Sequence, residues 1–94
     1  MNKYESVIII NNSLEDEKKK ETIDKIEKFL NENTKMEKKE ILETKKLAYE
    51  IQKQKEGYYV VFYFETESKY IQELERIYRI TDEIIKFITV RNEE

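Results

Sequence analysis

The chain contains no histidine, no cysteine and only one glycine. Without histidine it lacks the usual general base near neutral pH, and without cysteine it has no thiol nucleophile and no thiolate to hold a metal. A disulfide framework is excluded, in keeping with a reducing cytosol. A lone Gly57 cannot build a loop that lays several amides against a phosphate, which removes the common nucleotide-binding loops and the phosphatases that depend on one. No apolar run approaches the roughly 18 residues that span a membrane. The opening Met1-Asn2-Lys3-Tyr4-Glu5 leads into a strand-like run with an acid inside it, unlike the apolar core of a signal peptide. Two acid pairs, Glu15-Asp16 and Asp82-Glu83, fall at a predicted helix start and a predicted turn, where solvated carboxylates are ordinary. The chain is therefore not expected to be an enzyme, and no cofactor or metal is expected.

Ninety-four residues suit one domain, residues 1–94, with one modest core. Charged residues make up 41% of the chain and hydrophobic ones 38%, and the apolar residues are ordered periodically enough to fold. A net charge of −3 argues against gripping nucleic acid by overall attraction. A local basic rim remains open if the acids lie elsewhere, on the first helix and at Glu93-Glu94. The run Lys18-Lys19-Lys20, interleaved with acids on a helix, reads as a solvated face.

The β-branched run Val7-Ile8-Ile9-Ile10 inside Tyr4 to Ile10 predicts a central strand buried on much of both faces. Ser13 is placed to cap a helix whose stripe is Leu14, Ile23, Ile26, Phe29 and Leu30, ending at Asn31 to Asn33. Met36 to Ile51 reads as a long strand, with charged Lys35 to Lys39 projecting past the sheet. A turn is expected at Gln54-Lys55-Glu56-Gly57, where glycine supplies a permissive backbone. Ser68 is placed to cap a second helix with Ile71, Leu74, Ile77 and Tyr78 inward; Thr81-Asp82-Glu83 breaks it. Ile84 to Val90 forms the last strand before Arg91 and Asn92 run into solvent. Strand, helix, strand, strand, helix, strand predicts an α+β ferredoxin-like split βαβ fold, a four-stranded antiparallel sheet with both helices on one face.

Between the two helices, Tyr58, Val60, Phe62 and Phe64 alternate with Tyr59, Val61, Tyr63 and Glu65. Both sets carry rings, whereas a face turned to water should be polar, so a partner is expected to cover the outer one. The plain alternative is that tyrosine simply suits a pleated, half-buried surface. Glu65 assigns the outer role to the odd-numbered set, which makes Tyr59, Val61 and Tyr63, with Val7 beside them, the expected partner anchors.

Several short motifs in a fixed order give the chain a recognisable pattern. These are Lys3-Tyr4-Glu5, Lys46-Leu47-Ala48-Tyr49-Glu50-Ile51 with Lys53, Gly57-Tyr58-Tyr59, and Arg79-Ile80-Thr81-Asp82 leading to Lys86. In these the chain resembles the bacterial-type small-subunit ribosomal protein S-six family, over nearly its whole length. It departs from that pattern at Glu50, where many members carry proline, and at Thr81, where a basic residue is frequent. The resemblance implies a non-enzymatic protein of the cytoplasmic small ribosomal subunit. It further implies binding to the central domain of small-subunit ribosomal RNA, as a heterodimer with ribosomal protein S-eighteen, during platform assembly. No membrane and no small-molecule substrate are implied. Within it, Lys3, Tyr4, Lys53, Arg79, Lys86 and Arg91 are the candidate RNA contacts, cations for phosphates and tyrosine for ribose or base. Lys3, Tyr4 and Lys86 are expected to meet in one region, with Tyr4 alternatively only covering the core edge. The competing reading is a ligand-sensing or self-associating module on the same fold, without RNA affinity.

Overall fold

The computed structural model describes residues 1–92, so Glu93 and Glu94 lie outside the described residues. Its elements are β1 (Asn2–Asn11), α1 (Asp16–Asn33), β2 (Lys35–Ile51), β3 (Gln54–Thr66), α2 (Lys69–Ile80) and β4 (Ile84–Asn92). All strand pairs are antiparallel and the sheet order is β2-β3-β1-β4, the expected ferredoxin-like arrangement.

Alternation along β1 and β3 sorts the chain into a core and an outer face. Tyr4, Ile8 and Ile10 meet Val60, Phe62 and Phe64 on the side where α1 brings Ile23, Ile26 and Leu30 and α2 brings Leu74 and Tyr78. Each fully buried aliphatic or aromatic side chain there contributes roughly 1.5–3 kcal/mol relative to exposure. Ser6 brings a hydroxyl into this layer. Ser6 Oγ lies 2.7 Å from the Tyr78 hydroxyl and 3.0 Å from Thr89 Oγ1, so a trio of hydroxyls, buried at Ser6 and Tyr78 and half-buried at Thr89, ties β1, α2 and β4 together with every member partnered.

Several local expectations are corrected. Helix α1 starts later than Ser13, with Glu15 at its N-cap. Ser13 instead donates through its backbone N–H (3.0 Å) and its hydroxyl (2.7 Å) to Asn11 Oδ1, because an Asx turn competes successfully for the serine. Ser68 does sit at the N-cap of α2, but its side chain makes no capping hydrogen bond. Lys35 to Lys39 does not project: Lys35, Met36, Lys38 and Lys39 pair with Glu65, Phe64, Tyr63 and Phe62. Lys39 reaches Glu27 on α1 at 3.2 Å. Arg91 and Asn92 continue β4 opposite Tyr4 and Lys3. Lys18 and Lys20 are exposed as expected, but Lys19 is buried, its ammonium 4.8 Å from the Tyr58 ring centroid and donating to Asn12 Oδ1 at 3.3 Å.

The β2–β3 turn is also displaced from its predicted place. Ile51 pairs with Gln54, which leaves Gln52 and Lys53 as a two-residue turn with φ of 49° and 65°. Gly57 has no positive φ and lies in β3 opposite Asn11. Its glycine is required by packing: a Cβ there would collide with Ile9 Cγ2 and stand 3.2 Å from Leu47 Cδ2.

Candidate nucleic-acid and partner interface

The face away from the helices is built in rows across β3, β1 and β4. Register gives Tyr59–Ile9–Lys86, Val61–Val7–Ile88, Tyr63–Glu5–Val90 and Glu65–Lys3–Asn92. The first two rows are apolar but for Lys86, and the last two carry the charges Glu5, Glu65 and Lys3 beside Tyr63, Val90 and Asn92. The four expected anchors, Val7, Tyr59, Val61 and Tyr63, all lie on this face, opposite the core cluster.

The face is not bare. Val61 and Ile9 are already only 6% and 7% exposed, whereas Ile88 and Val90 on β4 are 55% and 44% exposed. Residues Leu47, Ala48, Tyr49 and Ile51 of the hairpin arm bend over it. They enclose a groove of about 220 Å³ with Val7, Ile9, Tyr59 and Ile88 on the sheet side. Lys86 donates a hydrogen bond to the Tyr49 hydroxyl across the mouth of that groove, joining β4 to the arm. On this face Ile88, Val90 and Tyr49 are thus the apolar surface most available to a partner. Sequence reasoning placed Tyr49 in a binding hairpin but gave Ile88 and Val90 no such role, although Lys86, Ile88 and Val90 alternate plainly in β4.

At the charged end, Tyr63 is held by its neighbours. Its hydroxyl is pushed up to about 12, first by the hydrogen bond to the Glu40 carboxylate, then by desolvation and by Glu5. Glu40 is lowered in turn by Tyr63 and by Lys38, whose ammonium sits 4.7 Å from the Tyr63 ring centroid. This cluster favours a protonated tyrosine hydroxyl held between two acids.

The six RNA candidates separate. Lys86 lies opposite Ile9, while Lys3 begins β1 and pairs with Asn92. Six residue steps of strand, about 20 Å, separate Lys3 from Ile9. Arg79, in the last turn of α2, and Lys53, at the hairpin tip, lie at the Lys86 end. Arg91 stands opposite Tyr4 at the Lys3 end. The expected meeting of Lys3, Tyr4 and Lys86 in one region does not occur, because antiparallel register carries the start of β1 to the end of β4. Tyr4 is 7% exposed with its ring stacked on Phe64 at 5.9 Å, so the ring is occupied by the core. Arg79 keeps its guanidinium 5.8 Å from the Phe87 ring centroid and 3.9 Å from Glu75. Among the described residues no group of acids, histidines or cysteines could hold a metal ion, and no helix is long and apolar enough to cross a membrane.

Comparison with known proteins gives one consistent family. The sequence profile described as Ribosomal protein S6 matches residues 3–91. The small ribosomal subunit protein bS6 of Thermotoga petrophila is 40% identical over 90 residues, covering 94% of this chain and 70% of that protein. The protein of the same name from Thermoanaerobacter pseudethanolicus is 37% identical over 95 residues, covering all of both chains. Among solved structures, 30S ribosomal protein S6 from Thermotoga maritima superposes with a TM-score of 0.92 at 38% identity. That match covers 97% of this chain and 87% of the other.

Proposed function

This chain belongs to the ribosomal protein S6 family, whose members are structural constituents of the small ribosomal subunit, and on that premise we propose how it binds there. The family is not enzymatic, and its place in the small subunit puts it in contact with ribosomal RNA in the cytoplasm. Our reading is that the chain binds the central domain of small-subunit ribosomal RNA together with ribosomal protein S-eighteen, during assembly of the platform. The observation that carries it is the outer sheet face, which exposes Ile88, Val90 and Tyr49 beside Tyr59 on a chain of net charge −3. An acidic protein with an unfinished apolar face suits half of a composite RNA-binding surface better than an independent one. In that arrangement Ile88, Val90 and Tyr49 meet the partner, with Tyr59, Tyr63 and Val7 beside them, and Val61, already buried, supports them from within the sheet. Lys86, Arg79 and Lys53 at one end, and Lys3 and Arg91 at the other, meet phosphates. Tyr4 contributes no more than its hydroxyl.

The test is RNA binding with and without the basic protein partner. Binding is expected to strengthen when the partner is added and to weaken with salt. Lys86→Ala is expected to reduce RNA affinity with an unchanged circular-dichroism spectrum. Equal affinity of Lys86→Ala and parent would take that lysine out of the site.

A further inference from the structure

Among the candidate RNA-binding cations, Lys86 alone stands inside the apolar part of the outer face, on one row with Ile9 and Tyr59. It is half-buried there and lines the groove beside Leu47 and Ile88. Its ammonium donates to the Tyr49 hydroxyl, a neutral acceptor on the hairpin arm. Among the described residues it forms no ion pair. Water therefore completes the surroundings of this charge, and Tyr49 and Ile88, which flank it, are exposed. Whatever covers those two side chains takes that water away. An ammonium left in an apolar contact with one neutral hydroxyl is strongly unfavourable unless an anion replaces the water.

Resting on the reading of a composite RNA-binding surface, we propose that Lys86 couples its two halves. A partner that covers the outer face strips water from the ammonium, and an RNA phosphate at the free edge of β4 supplies the anion that the covered lysine then requires. Strand β4 is outermost in the sheet, so the flexible stem can carry the ammonium from the Tyr49 hydroxyl to that edge while its methylenes stay on the face. Arg79, with its guanidinium 5.8 Å from the Phe87 ring centroid, flanks the same stretch of strand from the helix side. Without RNA the partner bears the desolvation of Lys86; with RNA the phosphate offsets it. Linkage makes the effect reciprocal, so RNA tightens the partner by the factor by which the partner tightens RNA.

The test is calorimetric titration of the basic partner protein into the parent and into Lys86→Met, each with and without central-domain RNA. Methionine keeps an apolar stem and removes the charge. Without RNA, Lys86→Met is expected to bind the partner about tenfold more tightly than the parent, because no charge is desolvated. The tightening that RNA gives to partner binding is expected to be about tenfold smaller in Lys86→Met, and the tightening that the partner gives to RNA binding should shrink by the same factor. Arg79→Met, a change off the outer face, is expected to weaken RNA binding equally with and without the partner, and to leave partner affinity in the absence of RNA at the parent value. Lys86→Met that binds the partner no more tightly than the parent without RNA overturns the coupling, even where RNA affinity is lost. So does an RNA enhancement that survives in full in Lys86→Met. RNA that binds the parent no better with the partner than without it removes the composite reading instead, and the coupling with it.

Discussion

At the scale of single residues, the chain relies on a few positions where chemistry and space leave no choice. Gly57 is one, filled by Ile9 and Leu47 where any side chain would stand. The Ser6–Tyr78–Thr89 trio is another, and it sets how stability responds to alkali. Burial raises the Tyr78 hydroxyl well above its ordinary value of 10; the Ser6 hydrogen bond pulls it partly back and Glu75 adds to the rise. Above about pH 10 the unfolded chain releases that proton while the folded chain keeps it. The folded state then binds more protons, and stability falls as pH rises. Below that pH both states are protonated and the contribution is constant. Denaturant midpoints are thus expected to lose ground above about pH 10, and Tyr78→Phe to make that loss shallower. The variant should cost roughly 1 kcal/mol near neutrality through the missing hydrogen bond. An equally steep alkaline loss in Tyr78→Phe would show that the buried hydroxyl is not its source.

At the scale of elements, the hairpin shows how local signals mislead. Glycine is the strongest marker of a turn, and the only glycine stands four residues past Lys53, beyond the two residues that actually reverse the chain. Gln52 and Lys53 instead adopt left-handed conformations that cost an ordinary residue roughly 1–2 kcal/mol each. The double change Gln52→Asn, Lys53→Gly is expected to stabilise the protein by about 1 kcal/mol, because Asn-Gly prefers this turn. Equilibrium urea unfolding reads that gain, and a loss of stability would mean that the turn is not of this type. The same logic applies to the helix starts: serine was legible as a capping residue, but Ser13 gives its hydrogen bonds to Asn11. Helix stripes and the long β-branched run were legible because burial follows their period, as Leu74, Tyr78 and Ile8 to Ile10 show.

At the scale of the whole molecule, the candidate RNA-binding cations divide between two ends of the sheet. If the RNA follows that division, removing either pair of cations should have the same kind of effect. Lys86→Ala with Arg79→Ala, and Lys3→Ala with Arg91→Ala, should each lower the slope of log affinity against log salt by about 1.4–1.8, the release expected for two phosphates. A slope unchanged by one pair confines the RNA to the other end.

The sequence by itself determined the order of elements, the faces of the strands and helices and the absence of enzymatic groups, since these follow from side-chain period and composition within a few residues of chain. Only the tertiary structure decided that Lys3 and Lys86 stand apart, that Tyr4 belongs to the core, that Lys19 turns inward and that Ile88 and Val90 are left exposed on the outer face. Those outcomes depend on strand register and on what the hairpin arm covers, and both are settled by contacts between residues far apart in the chain.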